Sequence, residues 1–168
     1  MPRWLVLSIG LLAAYSQAAE SPVYSANQLT ALPLSEWLTN GGNVLNQRYS
    51  PLTEITAGNV GKLKAEWQTH LNGSGLGPPF SGEAQPIVAN GVIYVPTGAD
   101  DVFAIDVETG KQLWVYQAHL EKTISTVCCG WTSRGVALGE GKVFLGRLDG
   151  AIVALDQRTG KQIWSVQA

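Results

Sequence analysis

Short apolar runs separated by glycine-containing turns fill the second half of the chain. Residues 92–95 and 102–105 form two such runs, and residues 143–145 and 152–155 form two more. Short runs that are rich in β-branched and aromatic side chains and bounded by Gly, Asn or Asp predict β-strands. A further strand is predicted over residues 84–89. The pattern therefore predicts an all-β fold.

The same pattern occurs twice, at a fixed distance of 50 residues. Residues 91–118 align with residues 141–168 without a gap, and 10 of the 28 aligned positions are identical. Both copies contain the segment Asp-x-x-Thr-Gly-Lys-Gln-x-Trp, which begins at Asp106 and at Asp156. In such a turn the aspartate side chain can accept hydrogen bonds from backbone N–H groups, and the glycine can adopt a positive φ. Four short strands in about 50 residues predict one blade of a β-propeller.

Tryptophan recurs at one place in the repeat. Trp114 and Trp164 end the shared segment, and Trp67 ends a degraded third copy. Because a blade buries its faces only against its neighbours, we expect these indoles to dock between successive blades. The alternative is that each is a local core aromatic.

The number of blades predicts an incomplete propeller. Residues 19–168 provide two to three blades of about 50 residues, whereas propellers close with about four or more. The simplest interpretation is the N-terminal part of a longer propeller domain. Self-association of the chain into a closed ring is the alternative.

The first 18 residues resemble an export signal. Arg3 is followed by an apolar stretch over residues 4–15, and Ser16 and Ala18 are small residues suited to cleavage. The apolar stretch is shorter than the ~20 residues that span a bilayer as a helix. We therefore expect a signal peptide over 1–18 and a periplasmic protein, with a membrane-associated one as the alternative.

The segment between this signal and the repeats has a less regular pattern. A short helix is predicted near residues 34–39, followed by turns. Its apolar side chains are expected to pack on the blades; they are Val44, Leu45, Leu52 and Ile55.

Composition and charge exclude several structural and functional classes for this chain. The chain is 45% hydrophobic and 14% charged, with 19 glycines, so disorder and collagen are excluded. A net charge of −2 without a basic run argues against a nucleic-acid surface. His70 and His119 lack partners at metal-ligand spacing. Asp100 and Asp101 are better explained by a turn between two strands than by a metal.

Cys128 and Cys129 are the only cysteines. Adjacent Cα atoms lie ~3.8 Å apart, which is closer than the ~4.4–6.8 Å of ordinary disulfides. A bond between them would close a strained ring of the kind found at functional sites. Taken alone, the residues leave three alternatives: this ring, two separate thiols, or pairing between chains.

An ordered set of motifs resembles the pyrroloquinoline-quinone (PQQ)-dependent alcohol dehydrogenases. The resemblance covers about residues 35–168. It depends on the repeated tryptophan segment and on four further motifs: Asn46-Gln47-Arg48-Tyr49-Ser50-Pro51-Leu52, Glu83-Ala84-Gln85-Pro86-Ile87-Val88, Cys128-Cys129, and Arg134-Gly135-Val136-Ala137.

The resemblance implies an eight-bladed propeller with PQQ on its axis and Ca²⁺ in most members. It implies a Cys128–Cys129 disulfide against one face of the quinone. By position, Arg134 resembles the arginine that holds a cofactor carboxylate, and Glu83 resembles the glutamate that hydrogen-bonds the cofactor. The family's catalytic aspartate and Ca²⁺ ligands belong to later blades, so we expect no catalytic or metal-binding residue here.

The expected function is oxidation of alcohols to aldehydes or ketones, with electrons passed to a quinone or a cytochrome c. The 168 residues alone are expected to be inactive. The alternative is a non-catalytic, exported propeller that scaffolds other proteins. Ser133 and Trp131 depart from the family pattern, and Trp131 is expected to line and narrow the substrate entrance.

Overall fold

Two four-stranded antiparallel sheets follow one another along the chain. The computed structural model describes residues 23–74, 83–124, 127 and 130–168. In each sheet the strand order equals the chain order, which is the arrangement of a propeller blade. Sheet 1 contains β1 (Ile87–Ala89), β2 (Val92–Pro96), β3 (Val102–Asp106) and β4 (Gln112–Tyr116). Sheet 2 contains β5 (Ala137–Gly139), β6 (Lys142–Gly146), β7 (Ala151–Asp156) and β8 (Gln162–Gln167).

The two sheets have the same register, which confirms the predicted repeat. Tyr94 pairs with Ala104 in sheet 1, and Phe144 pairs with Ala154 at the equivalent place in sheet 2. The last two strands of each sheet also share an irregularity in register, directly after Ala104 and directly after Ala154. Only β1 is shorter than predicted: it begins after Pro86, which has no N–H to donate to a ladder.

The Asp-x-x-Thr-Gly-Lys turns fold as their residues predict. Oδ1 of Asp106 accepts from the backbone N–H of Thr109 at 2.8 Å and from its hydroxyl at 2.6 Å. These hydrogen bonds from Thr109 hold the pKa of the Asp106 carboxyl below its ordinary value. Asp156 makes the same two bonds, and its pKa is lowered for the same reason.

Two tryptophans contact the turn of the following sheet. Trp67 donates its Nε1–H to the carbonyl of Val107 in sheet 1 at 2.9 Å. Trp114 of sheet 1 donates to Gln157 of sheet 2 at 3.1 Å. Trp164 packs at 6.0 Å between ring centroids against Phe144 of its own sheet, and it is 40% exposed.

The main core lies between the two sheets. Its central members come from β3, β6 and β7, where Val102, Val143 and Leu155 have no exposed surface. A second, smaller cluster packs Trp131 with Ala99, Ala118 and Leu120. Trp131 is only 3% exposed, and its Nε1–H donates to the carbonyl of Ile124 at 3.0 Å. The expectation that Trp131 lines an entrance is therefore wrong: it is a core residue.

The segment before the sheets corrects two further predictions. Its helix, α1, spans Ala26–Thr30 rather than residues 34–39, and it begins with a capping box between Ser25 and Gln28. Residues 34–39 are not helical because Trp37 forms an antiparallel bridge with Val88 of β1. The 3₁₀ turn at Val60–Lys62 completes the segment.

Four apolar side chains that were expected to pack on the sheets do not, although Leu38 of the same segment is buried in the core. Between half and two-thirds of the surface of each is exposed, namely of Val44, Leu45, Leu52 and Ile55. The turn is instead fixed by Asn43, which is buried and donates to Ala31 and to Gln47. Its Oδ1 also accepts from the N–H of Leu45, which leaves the neighbouring apolar side chains on the outside.

Candidate functional site

Glu83 and Arg134 lie at corresponding places before the first strands of the two sheets. Glu83 lies four residues before β1, and Arg134 lies three residues before β5. Their side chains meet in an ion pair, with Nη1 of Arg134 2.9 Å from Oε2 of Glu83. The side chain of Arg134 is 76% exposed, and that of Glu83 is 45% exposed. The structure therefore brings these two candidate cofactor-binding residues together, on a surface that remains open.

The backbone around Arg134 is held from two sides. Its carbonyl accepts from the N–H of Gln85 at 3.2 Å and from Nδ2 of Asn40 at 3.3 Å. Asn40 lies so close to Gly135, at a φ of 146°, that a Cβ on this glycine would overlap the amide. Among the described residues, the buried Oδ1 of Asn40 has no hydrogen-bond partner.

A cleft of about 470 Å³ opens beside this backbone contact. Trp37, Pro86 and Val88 form its apolar wall, and Asn40, Gln85 and Arg48 are its polar members. Nε of Arg48 donates to Asn46 at 3.3 Å. Arg48 thus lines the same cleft as Asn40 and Gln85, the two residues that contact the Arg134 carbonyl.

A buried carboxylate, that of Asp101, joins the segments that lead to this face. Oδ2 accepts from the backbone N–H of Ser74 at 2.8 Å and from its hydroxyl at 2.9 Å. Oδ1 accepts from the N–H of Ala118 at 2.8 Å. Asp101 is 2% exposed, and it closes the turn between β2 and β3. The turn interpretation of this residue is confirmed.

Asp100 connects the two sheets from the same turn. Its Oδ2 accepts from the N–H of Leu148 in sheet 2 at 2.6 Å. Its Oδ1 is buried and has no partner among the described residues. Burial raises the pKa of this carboxyl to about 6.

Cys128 and Cys129 lie outside the residues that the structure describes, and so does the predicted signal over 1–18. The disulfide between these cysteines stays a prediction. Within the described ranges, no group of three His, Cys, Asp or Glu residues is placed to hold a metal ion.

The donors at this face suit an anionic, planar ligand. The Arg134 guanidinium pairs with Glu83 and is 76% exposed, so it can also bind a carboxylate in the bidentate manner typical of arginine. PQQ is a flat tricarboxylate, and the chemistry of the Arg134 guanidinium fits it. Glu83 fits only because Arg134 neutralises its charge.

Asn40, Gln85 and Asp101 were not predicted from the sequence as site residues. Gln85 belongs to the Glu83 motif, and that motif could have pointed to it. Asn40 contacts Arg134 across 94 residues, and Asp101 contacts Ser74 across 27. No local sequence signal reports contacts of this kind.

The two four-stranded sheets and their shared register define part of a β-propeller. Residues 37–166 match the model of the PQQ glucose/ethanol/alcohol dehydrogenase β-propeller domain family. The chain therefore belongs to this family.

Curated and solved relatives agree with this assignment. The chain is 44% identical over 121 residues to the 1-butanol dehydrogenase (cytochrome c) of Thauera butanivorans, covering 71% of this chain and 17% of the relative. The quinohemoprotein alcohol dehydrogenase of Comamonas testosteroni has a TM-score of 0.71 and 37% identity, over 79% of this chain and 19% of that one.

A europium-containing methanol dehydrogenase has a TM-score of 0.68 and 31% identity, over 79% of this chain and 23% of that one. The chain thus spans about a fifth of the length of each of these relatives.

Proposed function

We propose that this chain is the N-terminal part of an exported, PQQ-dependent dehydrogenase that oxidises alcohols to aldehydes or ketones. The observation that carries the proposal is the Glu83–Arg134 pair. It lies before the first strands of adjacent sheets, in a chain that belongs to the PQQ propeller family. The names of the relatives, which are alcohol dehydrogenases, support the substrate class.

The role of this chain is to hold the cofactor rather than to perform the proton transfer. When bound, PQQ supplies a quinone that accepts hydride equivalents from the alcohol. Arg134 would hold one of its carboxylates, and the Glu83 carboxylate would orient the guanidinium while accepting from the ligand. The hydrogen bonds from Gln85 and Asn40 to the Arg134 carbonyl fix the backbone from which this side chain projects.

The metal and the electron acceptor belong to the proposal as well. We expect Ca²⁺, with ligands outside this chain; the europium-containing relative makes a lanthanide the competing metal. The expected acceptor is a cytochrome c, which is the acceptor in the name of the butanol dehydrogenase relative, or a quinone.

The proposed location is the periplasm, with membrane association as the alternative. The apolar pattern of residues 1–18 supports export. No helix within the described residues is long and apolar enough to cross a membrane.

The test uses the whole protein that contains this chain, purified without cofactor. PQQ affinity is measured by equilibrium dialysis, and activity is measured by dye-linked oxidation of a series of primary and secondary alcohols. Arg134→Ala should weaken PQQ binding by about tenfold or more, since hydrogen bonds to charged groups contribute about 1.5–3 kcal/mol. Arg158→Ala, which removes an equal charge from an exposed turn of sheet 2, should leave the affinity unchanged.

Titration with Ca²⁺ and with a lanthanide then identifies the metal that restores turnover. A wild-type protein that binds no PQQ would contradict the proposal and favour the scaffold alternative. Equal affinity in wild type and Arg134→Ala would remove Arg134 from the site.

A further inference from the structure

Two connections lead to the residues that we propose to hold the cofactor. The residues at which they begin, Ser74 and Ala118, are both hydrogen-bonded to Asp101. Ser74 is the last described residue before the connection that ends at Glu83. Ala118 follows β4 and begins the connection that reaches Arg134. One buried carboxylate accepts from both, at 2.8 Å from the N–H of Ser74 and 2.8 Å from the N–H of Ala118.

The surroundings of Asp101 leave this carboxylate little freedom. Gly73 approaches it so closely that a Cβ there would overlap Oδ2. Nε2 of Gln117 donates to the carbonyl of Gly73 at 3.1 Å, which adds a second link between the two connections. Hydrogen bonds from backbone N–H groups to an ionised acceptor are shorter and stronger than neutral ones, so Asp101 fixes both starting points.

The far ends of the same two connections are also joined to each other. The N–H of Gln85 donates to the carbonyl of Arg134 at 3.2 Å, and Glu83 pairs with Arg134. Asp101 thus joins the described residues at the near ends of the two connections, and the Arg134 contacts join those at the far ends. Asp101→Asn would weaken the contact between Ser74 and Ala118, from which the chain runs on to Glu83 and to Arg134.

We propose that Asp101 is a positioning residue for cofactor binding, which acts through the relative placement of Glu83 and Arg134. The proposal rests on the function proposed above. It differs from a purely structural role because it requires coupling between Asp101 and Arg134, whose side chains do not touch.

A double-mutant cycle in the whole protein tests this coupling. PQQ affinity is measured by equilibrium dialysis for wild type, Asp101→Asn, Arg134→Ala and the double variant, at a temperature where all are folded. Asp101→Asn should weaken PQQ binding by about tenfold in the wild-type background and by less than about twofold when Arg134 is already absent, because coupled sites deviate from additivity by such amounts.

Asp100→Asn is the matched control. It makes the same substitution in the same turn, at a residue that is 1% exposed, but its carboxylate contacts Leu148 of sheet 2 rather than either connection. It should leave PQQ affinity unchanged. A readout that needs no cofactor is amide hydrogen exchange: Asp101→Asn should lower protection at Gln85, whereas Asp100→Asn should not.

The outcomes separate this proposal from the function on which it rests. A wild-type protein that binds no PQQ overturns the proposed function, and this proposal with it. If wild type binds, then equal losses from Asp101→Asn with and without Arg134, or no loss, overturn the positioning role alone. Should Asp101→Asn fail to fold, Ser74→Ala removes only the hydroxyl donor to Asp101, and the same cycle with that variant decides the question.

Discussion

The indole of Trp114 lies against Gly160 of the following sheet, and the two residues leave no room for a side chain at the glycine. A Cβ on Gly160 would overlap the six-membered ring of Trp114. The glycine also has a φ of 69°. Trp67 and Gly110 form the same contact one repeat earlier, where φ is 68°. The glycine of the repeated turn is therefore required twice, by the backbone and by the neighbouring sheet.

Gly160→Ala should destabilise the whole protein by about 2–5 kcal/mol. The left-handed backbone costs about 1–2 kcal/mol, and overpacking against Trp114 adds about 1–3 kcal/mol. Gly91→Ala is the matched control, since Gly91 has a φ of 73° but faces open space. It should show only the backbone cost. Urea denaturation measures both variants, and equal losses would contradict the Trp114 contact.

Trp131→Ala should cost about 3–5 kcal/mol, the usual loss for a buried tryptophan. This cost should equal or exceed that of Trp114→Ala, because Trp131 is 3% exposed whereas Trp114 is only partly buried. Trp131→Phe keeps most of the buried ring and loses the bond to Ile124, so it should cost about 1–2 kcal/mol. Thermal or urea unfolding gives the comparison. A loss from Trp131→Ala no larger than that from Trp131→Phe would show that the ring is not packed.

Asp100→Asn should make stability less dependent on pH. Burial raises the pKa of folded Asp100 from an ordinary 3.8 to about 6, so between about pH 4 and pH 6 the folded protein holds a proton that the unfolded chain has released. The contribution of Asp100 to the free energy of unfolding therefore falls as the pH rises, by at most about 3 kcal/mol. The variant, whose amide can still accept from Leu148, should gain stability over wild type as the pH rises.

Urea denaturation at intervals from pH 4 to pH 7 provides the measurement. Glu108→Gln neutralises an exposed carboxylate of sheet 1, and its difference from wild type should stay within about 0.5 kcal/mol throughout. A constant difference between Asp100→Asn and wild type across the range would show that folding does not raise the pKa of Asp100.

Cys128 and Cys129 should be joined to each other in the exported protein. Digestion under non-reducing conditions should release one peptide that contains both residues and is lighter by two hydrogens than its reduced form. Wild-type protein treated with reductant is the control. Two alkylated thiols without prior reduction, or a linked partner peptide, would contradict the pairing.

Local chemistry explains why the sheets could be predicted from the sequence. A turn such as Asp106–Gly110 contains its own acceptor, donor and left-handed glycine, and its recurrence 50 residues later fixes the blade. The same logic would have found α1, because Ser25 and Gln28 have the spacing of a capping box. The predicted helix at residues 34–39 failed because Trp37 pairs with Val88, which lies 51 residues away in the sequence.

Burial that depends on distant residues explains the other failures. Trp131 is covered by Ala99, Ala118 and Leu120, which reach it through the tertiary structure. Glu83 and Arg134 were identified as candidates through the family resemblance, but their ion pair and its connection to Asp101 required the coordinates. A sequence pattern indicates the structure that one segment can form by itself, whereas these contacts join three separate segments of the chain.

The position of each tryptophan relative to the turn that it covers has a consequence for synthesis on the ribosome. Trp67 is translated 43 residues before Gly110, and Trp114 is translated 46 residues before Gly160. Each sheet therefore emerges when the indole that will cover its turn has already left the ribosome. Because chains emerge from the N-terminus at a finite rate, the sheets can assemble one after another in the order of translation, with each new sheet docking on a surface already in place.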